Sequence, residues 1–250
     1  DAAAAETVEF NDPWARHGIS VEQASKSGLE LGFSVERFVH EEKLVDGKPA
    51  RAVKMAGSIL PIGAGYPDLP VVSNYVAVPS GAAPKVRVIA YREERYQNVD
   101  IAPGMEIPTE QDKGIKPLRK KIEIYSRDEF FPSDFVMQSK VQAMRGVDVF
   151  ILSVSPFRYN PVTRELVVRR DMKVRVDFEG GNGVVGDDLY RHPMFERILQ
   201  QNIVNYSSIP PSRYAQLRDQ AAADGESGGK ETGEFEYIIL IPDDPVFAAW

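Results

Sequence analysis

The stretch Leu166 to Phe178, LVVRRDMKVRVDF, sets Val168, Met172, Val174, Val176 and Phe178 at even spacing, with Arg, Lys and Asp between them. Successive side chains of an extended strand point to opposite faces, so this alternation predicts a half-buried strand. Such a strand needs partners for its backbone groups and cover for its apolar face. The rest of the chain supplies similar segments. Leu29 to Glu41 carries Leu29, Leu31, Phe33 and Val35 on one face. Asp46-Gly47 is a hairpin signal, and Ala50 to Met55 is the returning strand. Tyr75 to Val78, Lys85 to Tyr91, Val99 to Ile101, Phe135 to Val141 and Val147 to Ser153 keep the same rhythm. Short alternating strands with frequent Pro/Gly punctuation and no long helical period predict a mostly β chain, an antiparallel β-sandwich of jelly-roll-like type.

The ends read differently. Residues 1–28 are sparse in pattern and are expected to form an N-terminal arm. The sandwich is expected over 29–206, closed by a short helix near 194–204, where Met194, Phe195, Ile198, Leu199 and Ile203 approach helical spacing. The tract 207–234 contains Pro210-Pro211 and AAADGESGGKETGE, the composition of a flexible linker. Beyond it, Tyr237 to Ile241 is an apolar β run and Pro242-Asp243-Asp244-Pro245 carries helix-start chemistry, so 235–250 reads as the start of a new α/β unit.

Charge and composition exclude several classes. A net charge of -7 argues against non-specific affinity for nucleic acid. No apolar run approaches the roughly 20 residues that a spanning helix needs. With no cysteine, the chain has no disulfide, no thiolate metal site and no cysteine nucleophile. It begins Asp1-Ala2-Ala3-Ala4-Ala5, which resembles a mature end left after signal-peptide removal and predicts a secreted or cell-envelope location.

Catalytic signals are weak. His17, His40 and His192 lack metal-ligand spacing and read as ordinary packing or surface residues. Gly57 to Gly65, GSILPIGAG, lacks the Lys-Ser/Thr ending of a phosphate loop. Asp187-Asp188 has no interleaved ligand pattern and reads as a solvated turn. The basic run Lys113 to Lys121, KGIKPLRKK, holds five Lys/Arg residues without aromatic interleaving for stacked bases, and reads as an exposed loop. No nucleophile, base and oxyanion site assemble, so the chain is not expected to be an active enzyme alone, and no cofactor or metal is expected.

Three stretches together carry a resemblance. They are GYPDLPVVSNYVAVPSGAAPKVRVIA (Gly65 to Ala90) followed by NVDIAP (Asn98 to Pro103), RDEFFPSD (Arg127 to Asp134), and RGVDVFILSVSPFRYNPVTRELVVRRDMKVRV (Arg145 to Val176). In this order and spacing they resemble the propeptide of gingipain-type cysteine peptidases over about Gly65 to Tyr206, while residues 1–60 match loosely. The terminal EYIILIPDDPVFAAW resembles the first strand and helix start of the gingipain catalytic domain, whose catalytic His and Cys would lie beyond it.

The resemblance implies an inhibitory, chaperoning propeptide whose partner is the peptidase's own catalytic domain. A loop at about 104–121 would enter the active-site cleft, and proteolysis in the linker would release it. Ungapped matching from Ile-Ala-Pro to Phe-Phe-Pro places Glu110 where arginine-specific members carry their pocket residue. Like charges facing each other in an acidic pocket would cost several kcal/mol. Either Lys113, or another base of the run such as Lys116, takes the role through a shifted loop, or the parent peptidase has a different specificity; Lys113 is the expected choice. Arg213, Arg218 and Lys230 are the expected processing sites, Arg213 first. The alternative is a non-catalytic carbohydrate- or surface-binding β-sandwich, which would want exposed tryptophans; only Trp14 and Trp250 are present.

Overall fold

The structure, a computed structural model, describes residues 5–58, 63–106, 108, 116–186, 191, 193–212 and 216. The expected terminal strand Tyr237 to Ile241, most of the linker, His192 and Asp187-Asp188 lie outside these residues. Twelve strands organise the described residues into three sheets. The longest, β12 (Glu165–Gly180), covers the alternating run Leu166 to Phe178. Along one edge it pairs with β7 (Ala82–Tyr96). Its other edge carries β11 (Phe157–Asn160) and then β3 (Gly28–Ser34), with β2 (Gly18–Ser25) outside β3.

A second sheet joins β1 (Ala5–Glu9), β4 (Arg37–Val45) and β5 (Lys48–Lys54). The third has β10 (Val147–Val154) between β6 (Val72–Ala77) and the short β8 (Val136–Gln138) and β9 (Gln142–Met144). All pairings between these strands are antiparallel. One apolar core unites the sheets: Phe33 and Leu31 from β3, Phe38 from β4, Val53 from β5, Val76 from β6, Phe150 from β10 and Tyr159 from β11. Each such side chain contributes about 1.5–3 kcal/mol on burial. The mostly β, antiparallel architecture expected from the alternation is thus found, with its strands divided among three sheets around one core.

The hairpin at Asp46-Gly47 forms as read. Val45 faces Lys48, and both turn residues have positive φ, 49° and 75°, the demand of a two-residue turn matched to strand twist. Arg145-Gly146 makes an equivalent turn between β9 and β10, at φ 52° and 82°.

Three expectations change. Residues 5–25 are not a loose arm, because β1 and β2 are hydrogen-bonded into two sheets. Val99 to Ile101 forms a bridge from Ile101 to Arg51 rather than a strand of its own. The helix near 194–204 is present but shorter, a 3-10 turn at Pro193–Phe195 leading into α2 (Glu196–Asn202). Within α2 only Leu199 is buried, while Ile198 is exposed. Leu199 joins Ile203, Ile209, Ala77, Val147 and Val149 in a second, smaller core. The body therefore continues past residue 206: Ile209 and Ser212 are buried, although composition places them in the linker.

Candidate functional site

The segments that carry the family resemblance converge in space at the base of one loop. Gly65 touches both ends of that loop. Its N–H donates to the carbonyl of Gly104 at 3.0 Å, and its own carbonyl accepts from the N–H of Lys121 at 2.9 Å. The N–H of Gly104 donates to the Tyr66 carbonyl at 2.8 Å, and Pro67 bridges Pro103. The chain from 104 to 121 thus leaves and re-enters at a single point.

That point is tied to the core by aromatic stacking. The rings of Tyr66 and Phe131 are 5.3 Å apart, and the Lys121 ammonium lies 4.6 Å from the Tyr66 centroid. Phe131 exchanges two backbone hydrogen bonds with Tyr159, each 2.8 Å. Asn160 donates to Asp128 at 2.8 Å, while its carbonyl oxygen accepts from Val162 and Thr163, shaping the turn into β12. Extended Gly-Tyr-Pro, Phe-Phe-Pro and Tyr-Asn-Pro segments are therefore one platform.

Of the five bases in the run 113–121, three have partners in the stem. Lys116 pairs with Glu106 at 2.8 Å. Lys120 donates to both oxygens of Asp100, at 2.6 and 2.7 Å, and also lies over the ring of Tyr125, which belongs to α1 (Ile122–Tyr125). Tyr125 donates to the Ile101 carbonyl at 3.0 Å, and Tyr159 donates to Asp100 at 3.4 Å. Burial, and then the Asp100 carboxylate, push the Tyr159 phenol up to about 12; burial and then Tyr159 push Tyr125 further in the same direction. Both phenols stay protonated donors, so the floor beneath Ile101-Ala102-Pro103 does not change charge near neutral pH. A groove of about 210 Å³ opens beside the stem, lined by Gly65, Gly104, Glu106, Arg119, Lys120 and Lys121 among others.

Glu110 and Lys113 lie outside the described residues, as do the processing residues Arg213, Arg218 and Lys230. Lys116 is placed on the stem rather than free in solvent. The position that reading by residue type missed is Gly65. Its φ of +82° is accessible to glycine at little cost, and a Cβ there would meet the Arg119 carbonyl at 3.2 Å. Its run, GSILPIGAG, signalled only a bent loop. Gly65→Ala is expected to cost about 1–3 kcal/mol of stability from backbone strain. The check is thermal unfolding beside wild type, with loss of Lys121 amide protection as the local sign.

The remaining candidates carry less. His40 is buried, and its Nδ1 has no hydrogen-bond partner. Burial, and then the Arg51 charge, hold its imidazole below the ordinary value, which keeps it neutral. His17 receives the Glu36 N–H and contacts the Ala56 carbonyl, a loop-tying role. Among the described residues no group of three or more His, Asp or Glu could hold a metal ion. No described helix is long and apolar enough to cross a membrane. Trp14 is 40% exposed, but the Arg92 guanidinium stands 4.9 Å from its ring centroid, so it is not a bare sugar platform. Trp250 lies outside the described residues.

A model of the Propeptide_C25 family matches residues 48–212. Lys-gingipain HG66 of Porphyromonas gingivalis is 28% identical over 182 residues, covering 69% of this chain and 11% of that protein. Gingipain R1 of the same species is 29% identical over 160 residues, covering 62% of this chain and 16% of that protein. The chain therefore spans about a tenth of the length of the Lys-gingipain it matches. Two solved structures share the fold. The complex of Porphyromonas gingivalis RgpB pro- and mature domains superposes with a TM-score of 0.66 at 23% identity, covering 75% of this chain and 97% of that one. A structure on the zymogenic latency of gingipain K from that organism gives a TM-score of 0.60 at 24% identity, with 71% and 100% covered.

Proposed function

Because the chain belongs to the Propeptide_C25 family, we propose that it is the latency-maintaining propeptide of an exported gingipain-type cysteine endopeptidase. It packs on that enzyme's catalytic domain, sends the loop at about 104–121 into the active-site cleft, and is released by cleavage within 207–234. Residues 235–250 then begin the peptidase domain. The observation that carries the reading is the convergence at Gly65. A loop whose two ends share one residue is presented as a single projection, and its stem rests on the same motifs that define the resemblance.

Latency of this kind is differential binding. Contacts outside the reacting centre hold the loop, while its backbone is kept from the geometry that rapid cleavage requires. Pinning both ends lowers the ordering cost on docking, because a pre-closed loop has less freedom to lose. Stem pairing commits Lys116 to Glu106 and Lys120 to Asp100. Arg119 and Lys121 line the groove beside the stem, so of the run we assign Lys113, the base farthest along the chain from that stem, to the specificity pocket in place of Glu110.

Lys113→Ala is expected to weaken inhibition of the separately expressed peptidase domain by at least about tenfold, since a charge pair desolvated in a pocket is worth several kcal/mol. Glu110→Ala is expected to leave inhibition unchanged or improve it. Inhibition constants against a fluorogenic substrate decide the matter, and a Lys113→Ala constant equal to wild type removes the assignment.

A further inference from the structure

The last described segment of the chain is held down, and it runs directly into a candidate cleavage site. Ile209 is buried in the second core, and Gly186 packs so closely on it that a Cβ there would lie 2.8 Å from the Ile209 side chain. Arg191, whose side chain is only 1% exposed, donates from Nη1 to the Gly186 carbonyl at 3.1 Å and from Nη2 to the Pro210 carbonyl. Its Nε donates to Glu196 at 2.7 Å, and Glu196 also accepts from the Tyr206 hydroxyl. Ser212 is 1% exposed, and its carbonyl accepts from the Gln216 N–H at 3.0 Å.

An endopeptidase reads several residues before the bond it cuts as an extended, accessible strand. For the Arg213–Tyr214 bond those residues are Pro210, Pro211 and Ser212, which the fold holds in place. For the Arg218–Asp219 bond they are Ala215, Gln216 and Leu217, of which Gln216 donates to the nearby Pro211 and Ser212 carbonyls but has no bond to Arg191.

We propose that residues 203–212 form a latch, closed by Arg191, that withholds the Arg213–Tyr214 bond, so that propeptide release begins at Arg218 or Lys230 and reaches Arg213 only after the latch opens. This rests on the reading of 207–234 as the release segment. Each cut adds one water across the peptide bond, leaving an arginine or lysine carboxylate and a new α-amine. When opening and closing are fast relative to cleavage, the rate at Arg213 tracks the population of the open latch. Weakening the latch therefore raises that rate more than the rate at Arg218, whose neighbour Gln216 is tied back only by local bonds to Pro211 and Ser212.

The test uses trypsin on the whole chain, with each bond followed by mass spectrometry. Rates are normalised to those of the same bonds in a synthetic peptide spanning 205–234. The Arg213 bond is expected to be protected at least about tenfold more than the Arg218 bond in the native chain. Arg191→Met, which keeps the aliphatic stem and removes hydrogen bonds from a charged donor, is expected to erase about tenfold or more of that protection. Equal normalised rates at the two bonds in wild type would overturn the proposal. So would an unchanged ratio in an Arg191→Met chain with native circular dichroism. Should Arg191→Met fail to fold, Glu196→Gln, which weakens only one partner of the guanidinium, decides by the same ratio. No peptidase domain enters this assay, so its outcome is separate from that of the inhibition measurement.

Discussion

Asp171→Ala is expected to lower folding stability by about 3–5 kcal/mol, the cost of removing one partner from a buried charged network. Asp171 lies on β12 and is 1% exposed. Its Oδ1 accepts from the Ser34 hydroxyl at 2.6 Å and from the Trp14 N–H at 2.8 Å. Its Oδ2 accepts from Arg92 Nε at 2.8 Å and lies 2.6 Å from the second guanidinium nitrogen. Ser34 in turn accepts from the Ala15 N–H at 3.0 Å. Alanine would orphan a hydroxyl, an amide and a guanidinium together. The same carboxylate fastens residues 12–15 over β12, so Trp14 should leave its place beneath Arg92 and change its emission.

Asp171→Asn should fall between alanine and wild type, since the amide oxygen still accepts while the charge is gone. Asp12 offers the contrast. It also binds Arg92 and Arg170, but it is exposed, and Asp12→Ala should have little effect. Urea unfolding measures all three. A lower midpoint at unchanged slope reports lost stability rather than altered compactness. An Asp171→Ala midpoint equal to wild type would mean that the network is not stabilising.

That aspartate also marks the boundary of what the primary structure discloses. Strand alternation is a local signal, and it correctly puts Leu29, Leu31, Phe33 and Val35 in the core and Asp46-Gly47 in a hairpin. By the same rule Asp171 reads as one of the polar residues on a solvated face. Its burial depends on a segment about 157 positions earlier in the chain, and no window of a few residues contains that information. Residues 5–25 are misread as an arm for the same reason. Their register comes from β4 and β3, while their own composition is mostly polar and small.

The candidate site divides along the same line. Gly-Tyr-Pro, Ile-Ala-Pro, Phe-Phe-Pro and Tyr-Asn-Pro are each visible as turn or extended signals. Their meeting around Gly65 is a tertiary fact. The linker reading starts too early in the chain because Pro210-Pro211 and the serines carry loop composition. What docks Ile209 is a floor of Ala77, Val147 and Val149, supplied by strands far away in sequence.

Asn205→Ala is expected to cost about 2–5 kcal/mol, from leaving two backbone groups unpaired at about 1–3 kcal/mol each. Asn205 is fully buried beside β6. Its Oδ1 accepts from the Ala77 N–H at 2.8 Å, and its Nδ2 donates to the Ala77 carbonyl at 2.9 Å. Two residues earlier Ile203 bridges Tyr75, and the Val204 N–H donates to the Tyr75 carbonyl at 2.9 Å. One side-chain amide therefore continues the ladder where the backbone of 203–204 stops, and it completes pairing along this part of the β6 edge. Asn205→Asp keeps the acceptor, loses the donor and sets a carboxylate against the Ala77 carbonyl, so it should be at least as damaging as alanine. Because Ile203 and Ile209 flank this contact in the second core, the loss should reach global unfolding, not only fraying of the end. Urea midpoints test the magnitude, and hydrogen exchange at the Ala77 amide tests the mechanism. An Asn205→Ala chain with wild-type midpoint and a protected Ala77 amide would mean that water or a shifted backbone replaces the side chain, and the β6 edge would not depend on residue 205.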